Sequence, residues 1–341
     1  MNETHIQWTD YSSNPLRYRD AADKTVWACV QASPGCLHCY AETTAKRFGR
    51  GSEFTAPHMR GLTPYLDEKE MHTLLTSTKL AGKRVFLGDM TDLFGEWVPS
   101  DLVCRLFEVL FQRSDVTFQL LTKRADRMQS LVSLNLPDLA RIAPWIWLGV
   151  SVEDQRRADE RIPLLLRTPA AVRFISAEPL LEAVDLTRID YTATARKELA
   201  AVGITEEIKG FRFPEYGPGF KVNLDAMTGS ITDNVVGAFP NVRPSLDLVI
   251  VGGESGPGAR PCDVAWVQSI VEQCKAAGTS VFCKQLGSKP RITWGPERYV
   301  WPRFKDPKGA DVDEWDQWVS TAALRVREMP AAVKSREASD G

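Results

Sequence analysis

The chain has 341 residues, is 43% hydrophobic, and carries 42 Lys and Arg against 44 Asp and Glu, a net charge of −2. That length and apolar content suit one large α/β domain or two smaller ones, and the near-neutral balance excludes an overall basic field while leaving room for a local basic patch. No stretch approaches the roughly 20 apolar residues of a membrane span, and the opening Met-Asn-Glu-Thr-His-Ile-Gln-Trp lacks the basic and apolar runs of a signal peptide. A cytoplasmic protein with no membrane partner is expected. In a reducing compartment, clustered cysteines point to metal or redox chemistry rather than to disulfides.

In chain order, one short strand is predicted at residues 5–9, followed by a polar irregular stretch. Cys29, Cys36 and Cys39 then fall within eleven residues as C-x6-C-x2-C, with Pro34 and Gly35 turning the backbone before the second thiol. A short turning loop can converge thiolates on a soft metal or an iron–sulfur cluster. Three ligands leave a coordination position free; a fourth from Cys262 or His38 would close the sphere and favour structural zinc. His38, lying between two of the proposed ligands, is poorly placed to share their metal. Cys104, Cys274 and Cys283 sit in amphipathic or apolar segments and read as core.

Ala41, Ala45 and Phe48 predict a helix ended by Gly49, and a second helical stretch is expected at 67–80. From residue 83 a rhythm sets in. Strands are predicted at 84–88, 116–121, 145–150, 172–175, 246–251 and 280–283. The helices between them include one capped by Ser100, one at 124–134, one burying Ala158, Ile162, Leu165 and Leu166, and one capped by Asp263. The alternation predicts a parallel sheet of about six βα units, short of the eight of a full barrel, with a doubly wound sheet as the structural rival. The rhythm breaks at 183–246, an insertion that is either a substrate lid or a surface decoration. Residues 1–288 thus form the main domain and 289–341 a Trp-rich extension (Trp294, Trp301, Trp315, Trp318) that closes one end, its last ten or so residues expected to be disordered.

In parallel βα architectures the active site lies at the C-terminal ends of the strands. Here those ends carry Asp89 and Asp92, Lys123 and Arg124, Ser151 with Glu153 and Asp154, Glu178, Glu254 in a glycine-rich run, and Lys284 with Gln285. Each has a plainer role open to it, such as helix capping for Asp154 and Asp263. Residues 252–258 fit neither a dinucleotide fingerprint nor a P-loop. The coincidence of polar groups on one rim suits a ligand with an amine, a carboxylate, a ribose and a base. Arg47, Arg50, Arg60, Lys83 and Arg84 are candidate phosphate contacts, or plain surface.

Seven ordered segments carry a resemblance: Ile6-Gln-Trp-Thr-Asp10, Ser33-Pro-Gly-Cys-Leu-His-Cys-Tyr-Ala-Glu42, Leu87-Gly-Asp-Met-Thr-Asp-Leu-Phe94, Leu120-Leu-Thr-Lys-Arg124, Trp147-Leu-Gly-Val-Ser-Val-Glu153, Arg173-Phe-Ile-Ser-Ala-Glu-Pro-Leu180, and the run from Val249 through Glu254 to Pro261. They resemble a phage-associated three-cysteine-motif family, itself similar to radical S-adenosylmethionine (SAM) enzymes of the spore photoproduct lyase branch. The resemblance implies a partial (β/α)6 barrel holding a 4Fe-4S cluster on Cys29, Cys36 and Cys39, with the fourth iron taking SAM and an electron releasing a 5′-deoxyadenosyl radical. It places Asp89 and Asp92 at the SAM amino group, Lys123 at its carboxylate, Ser151 and Glu153 at the ribose, and Glu178 and Glu254 at the adenine or the substrate. It also implies a nucleic-acid base or nucleotide as substrate, with an amino-group shift on an aminoacylated thymine of phage DNA favoured, and a flavodoxin or ferredoxin as electron donor. A base-adduct lyase and a non-catalytic zinc-stabilised binding protein are the alternatives. The usual radical SAM spacing is C-x3-C-x2-C, so the wide first gap is a departure.

Overall fold

The computed structural model describes residues 1–49, 53–201, 207–208, 211–212, 221–233, 238–239, 244–295, 298–317 and 322–330. Its centre is an eight-stranded sheet: β1 (Asn2–Glu3), β2 (Tyr11–Ser13), β3 (Arg84–Leu87), β4 (Thr117–Thr122), β5 (Ile146–Ser151), β6 (Val172–Ala177), β7 (Leu248–Gly252) and β8 (Ser280–Gln285). β1 pairs antiparallel with β2, and every later pair is parallel. The spatial order follows the chain order throughout. A doubly wound sheet reverses direction at a switch point; this one never does, so its topology is that of an open half-barrel.

The curvature is visible in side-chain contacts. The Trp8 ring packs tilted against Phe86 of β3 (centroids 4.8 Å apart) and Phe174 of β6 (6.2 Å). Three strand spacings on a flat sheet would separate those strands by about 14 Å. Trp8 therefore plugs the concave floor together with Trp147, Leu248, Ile250 and Phe282. This corrects the strand expected at 5–9: Ile6 and Trp8 alternate with polar residues, but the backbone turns there (Thr9 N–H to the Ile6 carbonyl, 3.2 Å). The first parallel strand is Tyr11–Ser13 instead. The stretch expected to be irregular also holds Leu16–Arg19, which pairs with Thr25–Val26 and Thr63–Leu66.

Helices α1 (Tyr40–Arg47), α2 (Ser100–Phe111), α3 (Ala125–Asn135), α4 (Gln155–Arg167) and α5 (Val264–Ala277) follow their strands as the spacing predicts. Their apolar faces, such as Leu106, Phe107 and Leu110 of α2 or Ile162, Leu165 and Leu166 of α4, bury against the convex side of the sheet. Each such side chain contributes about 1.5–3 kcal/mol. Asp154 and Asp263 cap α4 and α5 through backbone N–H groups. Ser100 does not cap α2; it is the first helical residue after Pro99.

The insertion carries a helix (Thr192–Ala201), an antiparallel sheet (Ile189–Asp190, Val222–Asp225, Ser230–Asp233, Ala238–Phe239) and a hairpin (Glu207–Ile208 with Phe211–Arg212). Tyr191, Val222 and Leu224 join the outer core, and the Asp190 N–H bonds Asp159 of α4 at 3.0 Å. Beyond β8, the chain returns along that strand's free edge: Cys283 N–H to Val326 O at 2.8 Å and Glu328 N–H to Val281 O at 2.9 Å. This covers an edge otherwise open to pairing. Trp315 is fully buried, whereas Trp294 and Trp301 are exposed. Trp318 and the expected disordered tail lie outside the described residues. Among those described, no helix is long and apolar enough to cross a membrane.

Candidate active site

The chain crosses the C-terminal mouth of the half-barrel as the cysteine loop. Residues Pro34–Cys36 make one 3-10 turn and Cys39 directly precedes α1. The loop is fixed at three points by cations. Arg124 donates to the Val30 carbonyl (2.8 Å) while lying over the Trp97 ring at 4.6 Å. Lys123 reaches the Ser33 hydroxyl (3.4 Å), and Arg260 donates to the Pro34 carbonyl (2.9 Å).

The three thiols are partly exposed and differ in character. Cys29 and Cys39 pack against Ala41, Ala45, Phe54 and Met90. Burial, reinforced by the Asp92 charge, pushes Cys29 up to about 12, and burial with the neighbouring Cys36 also raises Cys39. At Cys36 burial acts upward too, but the Lys123 ammonium and hydrogen bonds from Ala32 and Ser33 outweigh it and hold the thiol below its ordinary value. A cation beside a thiol favours the thiolate, the form that binds metal.

Beneath the loop lies Glu153, completely buried. It accepts from the Ser33 hydroxyl (2.6 Å), pairs with Lys123, and pairs through its other oxygen with Arg161 of α4 (2.9 Å). Burial pushes the carboxyl up, but Lys123 and Arg161 outweigh that and hold it below the usual range. Gly35 rests directly on it, and a Cβ there would stand 2.5 Å from the Glu153 Cγ. Glu254 is the second anchor. It accepts from His38 Nδ1 (3.1 Å) and from the Arg260 backbone (2.8 Å) and guanidinium (2.9 and 2.5 Å), so the glycine-rich segment clamps the far end of the loop. Burial raises its carboxyl, but these bonds prevail and lower it to about 2. Gly253 and Gly287 pass back to back here, where a Cβ on Gly253 would meet the Leu286 carbonyl at 2.4 Å.

The other predicted residues divide into two groups. Asp92 is buried and spent on the protein, accepting from the Thr122 hydroxyl (2.6 Å) and the Lys123 and Phe94 backbone (3.0 Å each). The buried Ser151 gives its carbonyl to Arg161. Asp89 and Glu178 are only partly buried. Asp89 is held by Asn14 and by the Tyr40 hydroxyl (2.7 Å), and Glu178 by Lys284 (2.6 Å) and Gln285 (3.2 Å).

Cys262 is fully buried, its thiol pushed up to about 12 by burial, and His38 is committed to Glu254. Cys274 and Cys283 are buried as expected. Lys83 and Arg84 stand at the start of β3, the opposite end of the sheet from the cysteine loop, and Arg84 pairs with Asp10. Arg50 lies outside the described residues. The sequence reading missed Ser33, Asn14, Tyr40, Arg161 and Arg260 as site residues. Arg161 had left a signal, a charge on the apolar face of α4 beside Ala158 and Ile162, because a buried Arg requires a partner.

Among the described residues, no group of three or more His, Cys, Asp or Glu is arranged to hold a metal ion. By donor type alone the loop suits a sulfur-ligated group: three half-buried cysteines, flanked by Arg124, Lys123 and Arg260.

Fold and site together define an α/β half-barrel protein whose polar mouth is spanned by a cysteine-bearing loop. The chain belongs to the DUF5131 family of proteins of unknown function, whose family model matches residues 3–322. No curated protein and no solved structure matches it.

Proposed function

We propose that this protein is a radical SAM enzyme acting on a nucleic-acid base or nucleotide in the cytoplasm. The observation that carries the reading is the C-x6-C-x2-C loop lying across the polar mouth of a parallel half-barrel. Cys29, Cys36 and Cys39 would hold a 4Fe-4S cluster, leaving one iron without a protein ligand for SAM. When bound, cluster and SAM supply one-electron reduction and hydrogen-atom abstraction, with a flavodoxin or ferredoxin as the electron source.

The chain's own residues do the rest. Lys123 favours the thiolate of Cys36. Ser33 and Gly35, seated on the Lys123–Glu153–Arg161 group, fix the loop, and Glu254 with Arg260 fixes its far end. Asp89 and Glu178, partly exposed at the strand ends and steadied by Tyr40 and Lys284, would hold the polar ends of SAM and substrate. Asp92 and Glu153 serve as anchors instead. The aromatic floor of Trp8, Trp147 and Phe174 keeps water out from below. An aminoacylated thymine of phage DNA, undergoing an amino-group shift, is the favoured substrate.

The test is anaerobic purification followed by reduction in the presence of SAM. About four iron and four sulfide per chain, release of 5′-deoxyadenosine, and loss of both in Cys36→Ala are expected. A colourless protein holding a single zinc would overturn the reading.

A further inference from the structure

Downstream of β8 stands a small hairpin, Pro290–Thr293 paired antiparallel with Tyr299–Val300, and Pro290–Thr293 also pairs with Cys262–Asp263. Its aromatic residues are turned outward: Trp294 is 66% exposed, Tyr299 51% and Trp301 42%. Tyr299 and Trp301 meet edge to face at 5.3 Å, with the Arg291 guanidinium 5.8 Å from the Tyr299 ring. The charge here departs from the rest of the chain. Residues 288–308 carry six Lys and Arg against two Asp and Glu, in a protein whose total is −2. Arg298 and Arg303 are exposed and form no ion pair among the described residues.

The hairpin is rooted at the mouth. Gly287, where the hairpin's chain leaves β8, lies against the Glu254 carbonyl, and its N–H bonds Lys308 as the chain returns (3.1 Å). Arg291 is paired with Asp263 (3.2 Å), so Arg298 and Arg303 are the cations left open here. Outward aromatic faces beside such cations form a surface on which unstacked bases stack while the phosphates are neutralised. A protein partner would also accept aromatics and Arg, but the local excess of positive charge selects a polyanion.

We propose that this hairpin is a stacking platform for single-stranded nucleic acid, which lays a strand beside the cysteine loop. Its role as a substrate dock rests on the radical SAM reading; its binding does not. The test is fluorescence anisotropy of the full-length protein with labelled thymidylate and uridylate strands of roughly twelve nucleotides and with a duplex of the same length. Single strands should bind more tightly than duplex. Trp301→Ala should weaken binding about tenfold or more, and Arg298→Gln with Arg303→Gln should reduce the log–log salt slope by about 1.4. Cys36→Ala should bind like the parent. Failure of both strands to bind, unchanged affinity in Trp301→Ala, or a self-association that Trp301→Ala abolishes without strand binding would each overturn the platform. Binding without 5′-deoxyadenosine release would sink the radical reading and leave the platform standing; release without binding would do the reverse.

Discussion

The two ends of the half-barrel are built from the same strands and held by opposite physics. Along β5 the concave-facing series runs Trp147, Gly149, Ser151 and on to Glu153. Along β6 it runs Phe174, Ser176 and on to Glu178, and along β7 Ile250, Gly252 and on to Glu254. Each strand starts on an apolar floor and ends on a charged rim. The floor is stabilised by removing aromatic surface from water and by filled space; the Phe174 ring occupies the position where a Cβ on Gly149 would stand. The rim is stabilised by carboxylates matched to cations, Glu153 to Lys123 and Arg161, Glu178 to Lys284, Glu254 to Arg260. Such groups are costly to bury unpaired. The floor therefore carries the stability, and the rim positions the loop.

The contrast is broken most strongly at the floor. Phe174→Ala should cost about 3–5 kcal/mol in urea unfolding, and, on the proposed cluster reading, the folded fraction should hold as much iron as the parent. A loss below about 1 kcal/mol, or iron lost from folded protein, would mean that the floor and the loop are not separate. Arg161→Ala comes next, at about 3 kcal/mol, because it leaves the buried Glu153 with Lys123 alone. Unlike the floor substitution, it should also lower iron retention, since Ser33 and Gly35 rest on that carboxylate. Gly35→Ala follows at about 1–3 kcal/mol, the range for inserting a methyl into filled space. Its Cβ meets Glu153 and lifts the loop, so iron content should fall more steeply than melting temperature.

The floor was largely legible in the sequence and the rim only in outline. Apolar runs such as Leu-Val-Ile-Val at 248–251 mark buried strands directly. The position of Asp89, Lys123, Glu153, Glu178 and Glu254 just past those runs placed them on one rim. What each carboxylate does there depends on partners remote in the chain. Ser33 reaches Glu153 across 120 residues, and Asp92 is consumed by the Thr122 hydroxyl and two backbone N–H groups. No local pattern distinguishes a carboxylate open to a ligand from one already used. Tyr11–Ser13 was missed because a three-residue strand with a serine facing Glu70 (2.8 Å) carries no apolar periodicity. Trp8 was misread because a plug and a strand residue bury the same side chain.

The smallest expected effect sharpens the comparison through pH. Glu254 is held down from 4.5 to about 2 in the folded protein. A carboxylate lowered on folding stabilises fully above its unfolded value of about 4.5, and that contribution is lost as the pH falls toward 2. Arg260 is a quarter exposed, so water screens the pair and the contribution is about 1–2 kcal/mol. Glu254→Gln should therefore be less stable than the parent by that amount at pH 7, and the two should converge near pH 2. The deficit of Phe174→Ala comes from lost apolar contact with no titrating group, so it should stay constant over the same window. Urea midpoints of the three proteins at pH 7, 4 and 3 decide the matter: a Glu254→Gln deficit that does not shrink with acid would mean that the rim is held by packing, like the floor.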